Sequence, residues 1–339
     1  MVSPMRFILD MLIEVLERGD SAVLGTIVRS SGSTPRTSGA RMLLQSDGAL
    51  AGTIGGGSIE AACQEKALEL FDQTSSYAEI NFSMSAIALA DDGMVCGGTA
   101  SVLLQMVNPD QLDTMLQIRT DYQSGKNPVL LTLLPSKARP PQLIYLNHHT
   151  SKVVNEDVRK QIVQKIRRAP FIIKSGDQEI FVESLVSPGV VYLAGAGHVA
   201  LATAHLASFT GFEVVVIDDR AEFASNDRFP QAQKVLVVKS FAECFKELSS
   251  NDYVVIVTRG HIHDRDVLAQ SLKTKAGYIG MIGSRRKRDL IYESLREAGF
   301  SDLDLKRVHS PIGISIGADT PNEIALSIVA ELVKIRSER

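Results

Sequence analysis

The spacing of apolar positions divides this chain into stretches of different character. Met5, Ile8, Leu9, Leu12, Ile13 and Leu16 recur at helical spacing, which predicts an amphipathic helix over 5–18 that Gly19 and Asp20 end. Short apolar runs then take over. They predict strands at 22–28, 42–44 and 50–54, the last two joined by a hairpin turn over Ser46, Asp47 and Gly48. A helix follows with Ile59, Cys63, Ala67 and Leu70 on its apolar face, Ser58 as its N-cap and Glu60 in its first turn. Strands are expected at 77–82 and 99–107. Residues 109–188 hold seven of the twelve prolines, which break this region into helices near 110–123 and 153–168 and strands near 129–134, 142–146 and 179–186.

From Val190 onward apolar runs alternate with helical segments. Strands are predicted at 190–194, 213–217, 234–238, 252–257 and 277–282, the pattern of a doubly wound parallel sheet. The last helix is announced by Thr320, Pro321 and Glu323, a capping box with proline at N1. The expected fold is therefore α/β: an N-terminal mixed α/β domain over 1–108, a connecting α/β subdomain over 109–188, and a Rossmann-like domain over 189–339.

The turn after the first strand of that last domain carries the most chemistry. It reads Gly195-Ala196-Gly197-His198-Val199-Ala200, a G-x-G-x-x-A fingerprint between a strand and a helix. Gly195 allows the tight turn. Gly197 lets a pyrophosphate approach backbone N–H groups at the helix start. Asp218 or Asp219 follows roughly 20 residues on, where an acid can bind a ribose 2′-hydroxyl. The crevice suits a dinucleotide or another anionic ligand equally.

Other candidates lie in loops. Arg36 lies in the stretch from Arg29 to Gly39, rich in hydroxyls and glycine, and suits a phosphate or carboxylate, although taken alone the stretch reads first as a solvated turn. Gly55, Gly56, Gly57 and Ser58 precede a helix and offer N–H groups to an anion. Cys96, beside Gly97 and Gly98, is sterically open and suits a thiol that meets a bulky ligand or accepts sulfur, although no cationic neighbour favours its thiolate, Asp91 and Asp92 oppose it, and an unreactive loop cysteine is the alternative. Cys63, on an apolar helix face, reads as a core thiol, and His148 and His149 as surface residues. His261, His263 and Asp264 follow the fourth Rossmann strand. A metal site is one reading of them. The preferred one makes His261 a pocket residue and Asp264 the cap of the next helix. Ser284 opens a helix whose first turn, Arg285 to Arg288, is basic against the helix dipole, so those charges face either a ligand, a partner or solvent.

Composition narrows the function. A net charge of −3 gives no basic excess for nucleic acid or anionic membrane. No apolar run is long enough to span a bilayer, and Asp10, Glu14 and Glu17 within the first apolar segment argue against a signal peptide. Three widely spaced cysteines fit reduced thiols in the cytoplasm and are too few for the ligands of an iron–sulfur cluster within one chain.

Taken in order, Gly32 to Arg36, Gly55 to Ser58, Cys96 to Gly98, the Gly195–Ala200 fingerprint, Gly260 to Asp264, Gly280 to Ser284 and Gly317 to Ala325 make the chain resemble the XdhC/CoxI family throughout. These are accessory factors of xanthine dehydrogenase and related molybdenum hydroxylases. The resemblance implies a non-catalytic maturation chaperone that binds molybdenum cofactor, supports its sulfuration with a cysteine desulfurase and delivers it to the apoenzyme. Arg36 and Gly55 to Ser58 in one domain and Gly195 to Gly197 in the other would let a phosphate-bearing cofactor touch both, and Cys96 is the cysteine expected to face the metal or its sulfur. A homodimer is expected of such a chaperone. The competing readings are an NAD(P)-dependent oxidoreductase using the Rossmann crevice and a metal-dependent hydrolase at His261, His263 and Asp264.

Overall fold

The computed structural model describes residues 4–338 except 33, 35, 84–97, 137–138, 148–153, 187–188 and 246. Cys96, Gly97, His148 and His149 therefore lie outside the described residues. The chain forms two compact units, one over Pro4–Val186 and one over Ser187–Arg339.

In the first unit, strands β1 (Ala22–Ser31), β2 (Arg41–Gln45), β3 (Leu50–Gly52), β4 (Tyr77–Ser83) and β5 (Thr99–Val107) form an antiparallel sheet in the order β3-β2-β1-β5-β4. Its two faces are buried by different helices because side chains alternate along a strand. Val23 and Ile27 of β1 pack with Ile59, Cys63, Ala67 and Leu70 of helix α2 (Gly57–Asp72). Ala22 and Leu24 face the other way, onto Leu9, Leu12, Ile13 and Leu16 of helix α1 (Pro4–Glu17). Cys63 is fully buried, as its place on the apolar face requires.

A second antiparallel sheet follows in the same unit, with β6 (Val129–Leu133), β7 (Gln142–Leu146), β8 (Phe171–Ser175) and β9 (Gln178–Ser184) in the order β7-β6-β9-β8. Strand β8 is not predicted by the apolar pattern; it pairs with β9 around Gly176, whose φ is +57°. Helix α3 (Leu112–Gln123) contributes Met115, Ile118 and Tyr122 to one core with α1 and with Leu130, Leu143 and Tyr145 of this sheet. Helix α4 (Glu156–Lys165), capped by Asn155, covers the sheet through Val158 and Ile162. Ion pairs join the two sheets: Arg41 of β2 to Glu183 of β9, both buried, and Arg29 of β1 to Glu179 of β9. A buried pair of this kind adds little net stability but is costly to break, so it fixes how the sheets meet.

The second unit is a parallel sheet of β10 (Val190–Ala194), β11 (Glu213–Asp218), β12 (Lys234–Val237), β13 (Tyr253–Ile256), β14 (Tyr278–Met281) and β15 (Val308–His309). The order is β12-β11-β10-β13-β14-β15, every pair parallel, as in a Rossmann fold. One face carries helices α5 (His198–Phe209) and α9 (Pro321–Ser337), the other α6 (His261–Leu272) and α7 (Arg285–Glu297); a short helix α8 spans Asp302–Leu305. Small residues let α5 approach closely, since Ala200, Ala204 and Ala207 are all fully buried. The direction of winding reverses between β10 and β13, the point where such sheets open a ligand crevice.

Helix α9 begins as the sequence predicts. Thr320 Oγ1 accepts the Glu323 N–H at 3.3 Å, and Glu323 accepts the N–H groups of Thr320 and Asp319 at 2.9 and 3.0 Å. Thr320→Ala should lower the unfolding free energy by about 1 kcal/mol, and Thr320→Ser should leave it nearly unchanged, as read from urea denaturation curves.

Candidate functional site

The glycine turn of the second unit is held from below by an acid. Gly195 has φ +112°, and a Cβ there would lie 2.4 Å from the Val257 carbonyl oxygen of the neighbouring strand's loop. Only glycine fits. Gly197 has nothing within 4 Å of a built Cβ, so its freedom faces open space where a ligand can approach. Gly197 is also the N-cap of α5, with no side chain capping the helix.

Asp218, at the end of β11, is only 1% exposed. Its Oδ2 accepts the Ala196 N–H at 2.7 Å and Arg220 Nη2 at 3.0 Å, and its Oδ1 accepts Arg220 N at 3.0 Å and Nε at 2.8 Å. Both carboxylate oxygens are fully engaged inside the protein. Burial raises the Asp218 pKa, but the hydrogen bonds from Arg220 and Ala196 outweigh it, and the group titrates below the usual carboxylate value of 3.8. Asp219 accepts Arg259 Nη2 at 2.7 Å. Because β10 lies between β11 and β13, this ion pair bridges the carboxyl end of β10. Arg220 in turn lies 3.8 Å over the Phe223 ring.

His198 opens α5 on its exposed side and lines a cleft of about 690 Å3 with Leu201, His205, Arg228, Pro230 and Pro321. A second cleft, of about 560 Å3, lies between the starts of α6 and α7 and brings together His261, Ser284, Arg286 and Lys287. Ser284 is the N-cap of α7 and accepts the Lys287 N–H at 3.2 Å.

Asp264 does not cap α6. That helix starts three residues earlier, at His261, with Gly260 at the N-cap and φ +123°. Asp264 sits a turn inside, fully buried, where it pairs with Lys287 and accepts the Thr258 hydroxyl at 2.5 Å. The His263 ring packs 5.1 Å from Phe241, away from any shared centre, and among the described residues no group of His, Cys, Asp and Glu side chains is placed to hold a metal ion.

In the first unit, Arg36 lines a cleft of about 340 Å3 with Ser38, Arg41, Arg168 and Glu183. The glycines Gly55, Gly56 and Gly57 all have positive φ. Ser58 is not the N-cap expected of it; α2 begins at Gly57 with Gly56 at the cap. The reason is Glu60, whose carboxylate folds back to accept the N–H groups of Ile54 and Gly56 at 3.1 and 3.2 Å and the Thr53 hydroxyl at 2.6 Å. An internal carboxylate thus already satisfies part of the turn that the sequence offers to an anion. Burial, with Glu60 adding to it, pushes the Cys63 thiol up to about 12, and burial does the same to Cys244. Neither supplies a thiolate at neutral pH.

Sequence reasoning overlooked Arg220, Arg259 and Lys287 as organisers of these sites. For Lys287 a signal existed, the basic first turn set against its helix dipole. Arg259 carries none, since strand order alone brings it to Asp219, whereas Arg220 pairs with an acid only two residues before it.

Gly195→Ala should cost about 3 kcal/mol of stability, while Gly197→Ala should stay within about 0.5 kcal/mol, by thermal and chemical denaturation of the two variants. Asp218→Asn should cost about 2 kcal/mol at neutral pH. A carboxylate depressed in the folded state stabilises above its unfolded value, and that contribution fades as pH falls through the folded value. The gap between Asp218→Asn and the parent should therefore shrink below about pH 4, measured as denaturation midpoint against pH.

Residues 15–80 match the XdhC and CoxI family, and residues 191–332 match the XdhC Rossmann domain. The chain is 27% identical over 336 residues to a protein of Bacillus subtilis described as a probable xanthine dehydrogenase subunit, covering 96% of each. It is 25% identical over 332 residues to the molybdenum cofactor insertion chaperone PaoD of Escherichia coli, covering 98% of this chain and 88% of PaoD. It is also 27% identical over 316 residues to the uncharacterized protein YqeB of Escherichia coli, of whose length it spans 43%. The crystal structure of a xanthine dehydrogenase from Bacillus halodurans shares the fold, with a TM-score of 0.78 at 24% identity over 98% of this chain and 96% of that one. With both units matched in order, the chain belongs to the XdhC/CoxI family.

Proposed function

We propose that this chain is an accessory factor that binds molybdenum cofactor, supports its sulfuration and delivers it to xanthine dehydrogenase or a related molybdenum hydroxylase. The observation that carries the reading is the similarity to PaoD, a molybdenum cofactor insertion chaperone, across nearly the whole of both chains. The relative described as part of a xanthine dehydrogenase points to the client.

The second unit fits a phosphate-bearing cargo better than a nicotinamide dinucleotide. A dinucleotide needs an acid for its ribose hydroxyls. Here Asp218 gives both oxygens to Ala196 and Arg220, and Asp219 gives Oδ2 to Arg259 while its Oδ1, without a hydrogen-bond partner among the described residues, is buried away from solvent. What remains for a ligand is the uncapped start of α5 at Gly197 and His198 and the cationic cleft at His261 and Ser284. That chemistry favours an anion without calling for a ribose. Arg36 is the corresponding group of the first unit.

Cys96 is the thiol we assign to the cofactor's metal or its sulfur; that burial keeps Cys63 and Cys244 protonated supports the choice. A cysteine desulfurase would supply the sulfur. A second copy of the chain would cover the exposed apolar side chains Phe209 and Leu326 of α5 and α9.

The test is anaerobic titration of the purified protein with molybdenum cofactor, NAD(H) and NADP(H). Cofactor should bind with an affinity on the order of micromolar, about tenfold more weakly in Cys96→Ala, and neither nucleotide should bind. Tight nucleotide binding without cofactor affinity would sink the chaperone reading in favour of an oxidoreductase.

A further inference from the structure

The cleft between the starts of α6 and α7 contains a lysine that the fold has been shaped to hold. Lys287 lies in the first turn of a helix, where a positive charge is disfavoured. It is retained there by Asp264, a fully buried carboxylate, and its Nζ lies 3.5 Å from the Ile282 carbonyl oxygen. The fold-back passes over Gly283, where a Cβ would sit 2.7 Å from Lys287 Cδ. An ammonium group has three N–H donors. One is directed at Ile282, the charge is paired with Asp264, and the side chain remains 26% exposed where it lines the cleft. One donor is left for a ligand.

The surrounding charges point the same way. Arg265 is paired with Asp266. The Asp264 charge is answered by Lys287. Arg286, which also lines the cleft, is exposed and has no ion-pair or hydrogen-bond partner among the described residues, so its charge is uncompensated. The cleft is also lined by Ile262 of α6 and by Leu290, one turn after Arg286 on α7, apolar side chains left 60% and 62% exposed. The cleft of about 560 Å3 thus sets unpaired positive charge beside exposed apolar side chains, which fits a ligand that joins an apolar ring to a phosphate.

We infer that this cleft binds the phosphate monoester of such a ligand. Lys287 and Arg286 hold the phosphate, and Ile262 and Leu290 cover the ring. Resting on the cofactor-chaperone reading, the inference assigns the cargo's phosphate to two basic residues and gives Asp264 the task of positioning Lys287.

The probe is inorganic phosphate, and the readout is backbone hydrogen exchange of the full chain at matched ionic strength in phosphate or chloride. Phosphate should slow exchange over 260–264 and 284–288. The half-saturating concentration should rise about tenfold in Arg286→Ala, an exposed position whose loss leaves the fold intact. Lys287→Met alone would strand a buried carboxylate, so it is combined with Asp264→Asn, and that double variant should lose the protection. Absence of phosphate-dependent protection in the parent protein, or equal protection in Arg286→Ala, overturns the inference. Molybdenum cofactor is titrated in parallel. Cofactor binding without phosphate protection of the cleft keeps the chaperone reading and removes this site. Phosphate protection without cofactor affinity keeps the site and removes the chaperone reading.

Discussion

The second unit is organised around the Asp218 carboxylate. A parallel sheet brings the ends of β10, β11 and β13 side by side, and the turn after β10 must be sharp enough to start a helix at once. Gly195 makes the turn possible, and Asp218 makes it definite by taking the Ala196 N–H. A buried carboxylate needs compensation, which Arg220 supplies through its backbone and its guanidinium. The consequence is functional. The acid that a dinucleotide site would present to a ribose is turned inward to hold the loop.

The same economy of charges recurs elsewhere. Asp264 is buried because Lys287 reaches it from the next helix, and Arg41 and Glu183 are buried because two sheets of the first unit meet over them. In each case the apolar contacts supply the bulk of the stabilisation, and the ion pair fixes which arrangement forms. Glu60 is a smaller instance, a carboxylate that settles the turn before its own helix.

Local rules explain where sequence reasoning held and where it failed. The box at Thr320 and Glu323 was legible because all its partners lie within four residues. Ser58 and Asp264 obeyed the same local statistics and took other roles. Glu60 reached the free N–H groups first, and Asp264 was drawn inward by a lysine more than twenty residues away. Strand β8 was missed because its residues alternate poorly and depend on pairing with β9 to become a strand.

The sequence by itself determined the α/β class, the glycine fingerprint, the position of most elements in the Rossmann unit and the family, because these rest on periodicity, turn residues and motifs that are local in the chain. Only the tertiary structure decided which acids are free and which are engaged. Asp218 and Asp219 look alike as neighbours in sequence. One is sealed by Ala196 and Arg220, and the other is held by Arg259 across the end of β10. Hydrogen-bond saturation depends on what the fold brings within about 3 Å, and no spacing along the chain encodes it.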